Sequence, residues 1–144
     1  MKLIFGIFLS SLLFLTAPWE TPMDKALEIA KTEKKLILLN FSGSDWCGPC
    51  IKLKKEVLDS PEFLQFSERK LVLVRADFPR KKANRLSESK TMENEKLAEK
   101  YNPKGKFPFT VLIDANGKVL KEWDGYEKSI TAITLSNQIA PFYK

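Results

Sequence analysis

Leu36-Ile37-Leu38-Leu39-Asn40-Phe41 is a nearly unbroken apolar run, and Cys47-Gly48-Pro49-Cys50 follows it across one short loop. The run has strand length and no polar face to offer water, so a strand here must be covered on both sides. Ser42-Gly43-Ser44-Asp45 reads as the loop, and the cysteine motif opens the next helix. A covered strand leading into a helix that starts with two thiols is the alternation expected of a layered α/β chain.

The remaining punctuation fits that architecture. Thr21-Pro22 reads as a helix cap followed by proline in the first helical position, and Met23, Ala26, Leu27 and Ala30 recur at helical spacing up to about Lys34. After the cysteines, Ile51, Leu53, Val57 and Leu58 continue a helix, and Ser60-Pro61 restarts a shorter one. Leu71 to Ala76 is a second strand of the covered type. Asp77 to Glu93 is polar and basic with no apolar period, and Asn94 to Tyr101 resumes as a short helix. Phe109 to Ile113 and Lys118 to Trp123 flank Asp114-Ala115-Asn116-Gly117, where Asn-Gly supplies the positive φ angles of a hairpin turn. Ile130, Ile133, Leu135 and Ile139 suggest a last helix that Pro141 stops.

Composition narrows the chemistry. With 144 residues there is room for one domain, expected over residues 19–144. The net charge of +6 comes from lysine runs flanked by acids or apolar residues. No basic stripe alternates with aromatics, so nucleic acid is not expected as a partner. There is no histidine, and the chain's two cysteines lie three positions apart. That excludes a Cys–His protease and a Cys–His zinc site, and two thiols alone fall short of zinc's four ligands. No metal and no cofactor are expected.

Met1-Lys2 precedes an apolar stretch, Leu3 to Leu15, broken by Gly6, Ser10 and Ser11. A positive residue and an apolar run of this length form a signal peptide, expected over residues 1–18, too short for an ordinary membrane span. Leu15-Thr16-Ala17 is an imperfect cleavage site, which leaves open retention as an uncleaved anchor.

Trp46-Cys47-Gly48-Pro49-Cys50 after a buried strand, with Phe107-Pro108 ahead of the hairpin and Gly117 and Gly125 in and after it, resembles the thioredoxin family. The lead-in Phe41-Ser42-Gly43-Ser44-Asp45 is most similar to exported bacterial thioredoxin-like proteins. The resemblance implies a thioredoxin fold, with a central mixed four- to five-stranded sheet flanked by helices. It implies a monomeric periplasmic thiol–disulfide oxidoreductase that works through a Cys47–Cys50 dithiol/disulfide couple. Pro108 would be cis, the backbone of Phe107 would pair with the substrate chain, and Trp46 would border the groove. Gly-Pro between the cysteines resembles the reducing members, so the implied partners are cysteine-containing exported proteins and a membrane electron donor of the DsbD type. An oxidase or isomerase using the same site, and a thioredoxin-fold binding module or chaperone, are the alternatives. Arg80–Met92 is an insertion relative to a minimal thioredoxin, read as a solvated loop or a partner-recognition segment.

Physical chemistry assigns the two thiols different work. A cysteine at a helix N-terminus faces unpaired N–H groups that favour its thiolate. In thioredoxin the attacking thiol has a pKa near 7, against about 8.5 for free cysteine, which raises the thiolate at neutral pH from roughly 3% to roughly 50%. Lower basicity gives back about fivefold in nucleophilicity, leaving a net gain of only about threefold. The larger advantage is expected from Cys50, tethered to resolve the mixed disulfide after Cys47 has attacked. Pro49 would restrict the first turn, and Gly48 would let it be tight. One departure from the family stands out. Thioredoxin carries a buried aspartate before the motif that moves protons for the resolving cysteine. Here the nearest position is Asn40, which cannot titrate, and Asp45 is the closest carboxylate in sequence.

Overall fold

The computed structural model describes residues 19–143, so the expected signal peptide lies outside the described residues. Four strands form one sheet in the order β2-β1-β3-β4. Strand β1 (Leu36–Ser42) runs parallel to β2 (Leu71–Asp77) and antiparallel to β3 (Phe109–Ile113), and β4 (Val119–Asp124) closes the hairpin beside β3. An isolated bridge between Glu20 and Val74 extends the β2 edge without making a fifth strand.

The sheet is covered as the apolar run requires. Ile37, Leu39 and Phe41 face one layer with Val72, Val74, Val111 and Ile113, closed by α1 (Met23–Glu33) and α4 (Glu88–Tyr101) through Ala26, Ala30, Leu97 and Tyr101. Leu38, Leu71, Leu73 and Leu112 face the other. That layer holds α2 (Gly48–Leu53), a π-helical turn (Lys54–Leu58), α3 (Pro61–Lys70) and α5 (Ala132–Ile139), with Leu53, Val57, Phe63 and Leu135 inward. Ile37, Leu38, Leu39 and Phe41 are 0% exposed, so the central strand has no solvent face. Asn40 shares the parity of Leu38 and therefore lies on the α2 side.

Local signals fared best where the partner is local. The Ser60 hydroxyl accepts the Phe63 N–H at 3.3 Å with Pro61 in the first turn, and Gly117 takes φ 83° in the hairpin. Three boundaries differ. Pro22 is itself the N-cap of α1, with extended backbone and no side-chain cap bond, and the Met23 N–H is taken up by the Glu93 carboxylate at 3.2 Å. Helix α4 begins at Glu88, six residues before the expected Asn94. Ser87 caps it by accepting the Lys90 N–H at 3.2 Å, and Lys90 pairs with Glu93 at 3.0 Å. Those first turns lie largely at the surface, with Met92 50% exposed, so no apolar period marks them. The segment expected as a solvated loop over 80–92 is therefore helical from 88 onward. In α5, Leu135 and Ile139 face the core but Ile133 is 67% exposed; a capping box between Thr131 and Thr134 sets the start instead.

Candidate active site

Cys47 is the N-cap of α2, and its Sγ accepts the Cys50 N–H at 3.3 Å. It is joined to Cys50 in a disulfide with the Cα atoms 5.2 Å apart. This sulfur occupies the position that a thiolate would hold in the reduced form, facing the unpaired donors of the first turn. In the disulfide form Cys47 is 6% and Cys50 3% exposed, so exposure alone separates them little; it is the N-cap placement that distinguishes Cys47. Gly48 and Pro49 are exposed and start the helix. A Cβ at Gly48 would meet nothing within 4 Å, so the tight-turn reason for a glycine there does not hold.

The Phe107–Pro108 peptide is cis, as the resemblance implied. The Pro108 carbonyl accepts the Gly125 N–H at 2.9 Å, while neither the N–H nor the C=O of Phe107 has a hydrogen-bond partner among the described residues. Backbone groups left free at a surface are available to another chain. Trp46 joins the two halves of the site, its ring edge-on to Phe107 with centroids 5.4 Å apart. Its Nε1 donates to the Phe78 carbonyl at 2.7 Å, and the Phe78 ring packs on Phe107 at 5.6 Å. Gly43 is required beneath it: a Cβ there would fall against the indole, 2.7 Å from Nε1.

Asn40 is 2% exposed, and its Nδ2 donates to the Thr110 hydroxyl at 3.0 Å. The register sets Asn40 between Arg75 and Thr110 on the α2 side of the sheet. Burial lowers the Arg75 pKa, which Asp59, Asp77 and Glu20 partly oppose. Asp45 is engaged by the segment after β2. Its carboxylate lies at the surface and accepts from the Arg80 and Lys81 N–H groups, both at 2.9 Å, and from Asn84 Nδ2 at 3.0 Å. The bonds from Arg80, Asn84 and Lys81 hold it below the usual carboxylate range, so it stays anionic at neutral pH and anchors the 80–84 segment.

Gly43, Phe78 and Arg80 belong to this site and were not legible in the sequence. Phe78 and Arg80 reach it from more than thirty residues away, and no local pattern marks the pairing. Among the described residues no group of three or more metal-ligating side chains occurs. No described helix is long and apolar enough to cross a membrane.

The thioredoxin-like domain profile matches residues 23–136, which include both cysteines and the cis-proline. The chain belongs to the thioredoxin-like domain family. It is 43% identical over 102 residues to the disulfide bond reductase DsbH of Chlamydia pneumoniae, across 71% of this chain and 59% of that protein. The chain thus spans less than two thirds of the length of this curated relative. A solved structure described as DsbH oxidoreductase superposes with a TM-score of 0.75 at 38% identity, covering 85% of this chain and 81% of the other. The disulphide isomerase of Xylella fastidiosa Temecula1 shares the fold, with a TM-score of 0.60 at 21% identity over 90% of this chain and 99% of that one.

Proposed function

We propose that the protein is a thiol–disulfide oxidoreductase that reduces or exchanges disulfides in exported proteins. The observation that carries this reading is the Cys47–Cys50 disulfide with Cys47 as the N-cap of α2, its sulfur on the Cys50 N–H. The working cycle starts from the dithiol. The Cys47 thiolate attacks one sulfur of a substrate disulfide, forming a mixed disulfide and releasing the other sulfur as a thiolate that takes up a proton. Cys50, deprotonated, then attacks the Cys47 sulfur, closing the disulfide seen here and releasing the second substrate thiol. Two electrons pass from the protein to the substrate, and a second dithiol must return them. A membrane donor of the DsbD type, implied by resemblance, would serve.

Phe107 offers its free N–H and C=O to the substrate backbone beside Pro108, and the Trp46 ring, packed edge-on against the Phe107 ring, borders the same groove. The reducing direction is favoured by what surrounds Cys47. Its sulfur has a single backbone donor in the structure, and the chain contains no histidine to supply an imidazolium beside the thiolate. Strong oxidants depend on extreme thiolate stabilisation, with pKa values near 3.5. Residues 1–18 would direct the protein out of the cytoplasm, into the periplasm, with an uncleaved anchor as the alternative.

Turnover of a protein disulfide tests the assignment. With a small dithiol as electron source, the protein at catalytic amounts should speed reduction of a disulfide-bonded protein well above the dithiol alone. A Cys47→Ala, Cys50→Ala double variant should return the rate to background. A wild-type rate no higher than that of the double variant would contradict the reading and favour a binding module.

A further inference from the structure

The segment after β2 is tied to the loop before the cysteines by a reciprocal set of bonds. The Asp77 carboxylate accepts the Ser44 N–H at 2.9 Å. Asp45 accepts from Arg80, Lys81 and Asn84, and Trp46 donates to Phe78. The outcome is a fixed position for one side chain. The Arg80 guanidinium lies over the Trp46 ring, 3.7 Å from its centroid. Arg80 is exposed, and no carboxylate lies within salt-bridge distance of it among the described residues. Asp45 is engaged by the Arg80 and Lys81 N–H groups and by Asn84 Nδ2, and makes no ion pair with the guanidinium.

Scattered surface cations carry long, disordered side chains and gain little from any one partner. Arg80 differs on both counts. Its backbone N–H is anchored and its planar head is stacked, so less side-chain freedom is lost when its donors are used. The other flank of the motif matches it in sign. Gly48 and Pro49 border a groove of about 350 Å³ that Lys52 and Lys128 line, and neither lysine forms an ion pair among the described residues. The carboxylate in that groove, Glu56, is engaged by the Tyr126 hydroxyl. Cations therefore stand on both sides of Cys47, and the one beside Trp46 is preorganised.

We propose that Arg80 is a specificity-determining residue of this site, receiving a carboxylate carried beside the target disulfide, so that polypeptide disulfides flanked by Asp or Glu are preferred. The inference rests on the oxidoreductase reading for what happens after docking, but not for docking itself. A planar guanidinium takes a carboxylate through two parallel N–H donors, a geometry that an ammonium does not reproduce.

Binding and turnover measured on paired peptides separate the two claims. Each pair carries Asp or Lys next to the target position. One set has serine in place of cysteine, for NMR titration of the oxidised full chain; the other is disulfide-bonded, for reduction kinetics. At low ionic strength the Asp peptide should bind about fivefold more tightly than the Lys peptide, the scale of one exposed ion pair, and the preference should fade in high salt. Arg80→Ala should abolish the preference and Arg80→Lys should keep part of it. Lys81→Ala, which removes a neighbouring cation and leaves the strap's backbone bonds in place, should keep it in full. If Lys81→Ala erases the preference as fully as Arg80→Ala, diffuse charge is responsible and the proposal fails. It fails equally if neither serine peptide binds, or if Arg80→Ala retains the preference. A preference without turnover leaves the recognition standing and overturns the oxidoreductase reading; turnover without a preference does the reverse.

Discussion

Cys50→Ser should collect covalently linked partners and lose turnover by at least about a thousandfold. In the wild type the mixed disulfide on Cys47 is opened by a sulfur three residues away, on the same helical turn. Even an effective molarity of ~10 M, far below what well-oriented groups reach, exceeds ~1 mM of free thiol by about 10⁴. Removing that tethered group leaves rescue to an external thiol, so the complex persists and is visible on a non-reducing gel. Cys47→Ser should give no adducts at all, because Cys50, one turn into the helix, lacks the N-cap position. Similar adduct yields from both variants would contradict the division of labour. So would a fall in Cys50→Ser turnover of only a few fold, the size of change that thiolate activation alone supplies.

Asn40→Asp should make stability depend on pH in a way the wild type's does not. The site is 2% exposed, and burial disfavours the charged form, so a carboxyl there should have its pKa raised to about 6 to 7, against ~3.9 in the unfolded chain. Arg75, its register neighbour on the α2 side of the sheet, keeps the rise from being larger. For an acid with a raised folded pKa, the folded state holds more protons than the unfolded state between the two values. The difference in stability between variant and wild type is therefore smallest below pH 4. It grows as pH rises toward the folded pKa, and then levels about 3 to 4 kcal/mol above its low-pH value, against the variant. Denaturant titrations of both proteins between pH 4 and pH 8 read this directly. The proton chemistry should change in parallel: the variant's resolving step should gain an inflection near the new pKa, absent from the wild type. Parallel stability profiles would show that Asn40 is not shielded as the fold places it.

Why the sequence was readable in some places and not in others follows from where the partners sit. The covered strand, the Ser60-Pro61 cap and the Asn-Gly hairpin are decided within a few residues, and all three are present. The cysteine motif is legible for the same reason, since its spacing alone puts two sulfurs on one helical turn. Helix α4 starts earlier than periodicity suggests because surface turns held by Ser87 and the Lys90–Glu93 pair show no apolar stripe. Met23 takes its cap from Glu93, seventy residues on, which no local rule anticipates. The same holds at the site. Asp45 is the nearest carboxylate in sequence, yet its bonds run to Arg80, Lys81 and Asn84, more than thirty residues on. Gly43 looks like an ordinary loop glycine until the Trp46 indole is seen to occupy the space above it.

The reduction potential of the Cys47–Cys50 couple sets the direction in which the site runs. Equilibration of the full chain against glutathione buffers, with the dithiol fraction read by alkylation and mass spectrometry, should place it at about −230 to −270 mV, in the range of glutaredoxins and thioredoxin. A value near −120 mV, where the strong oxidant DsbA lies, would make the site an oxidant and overturn the reductase reading.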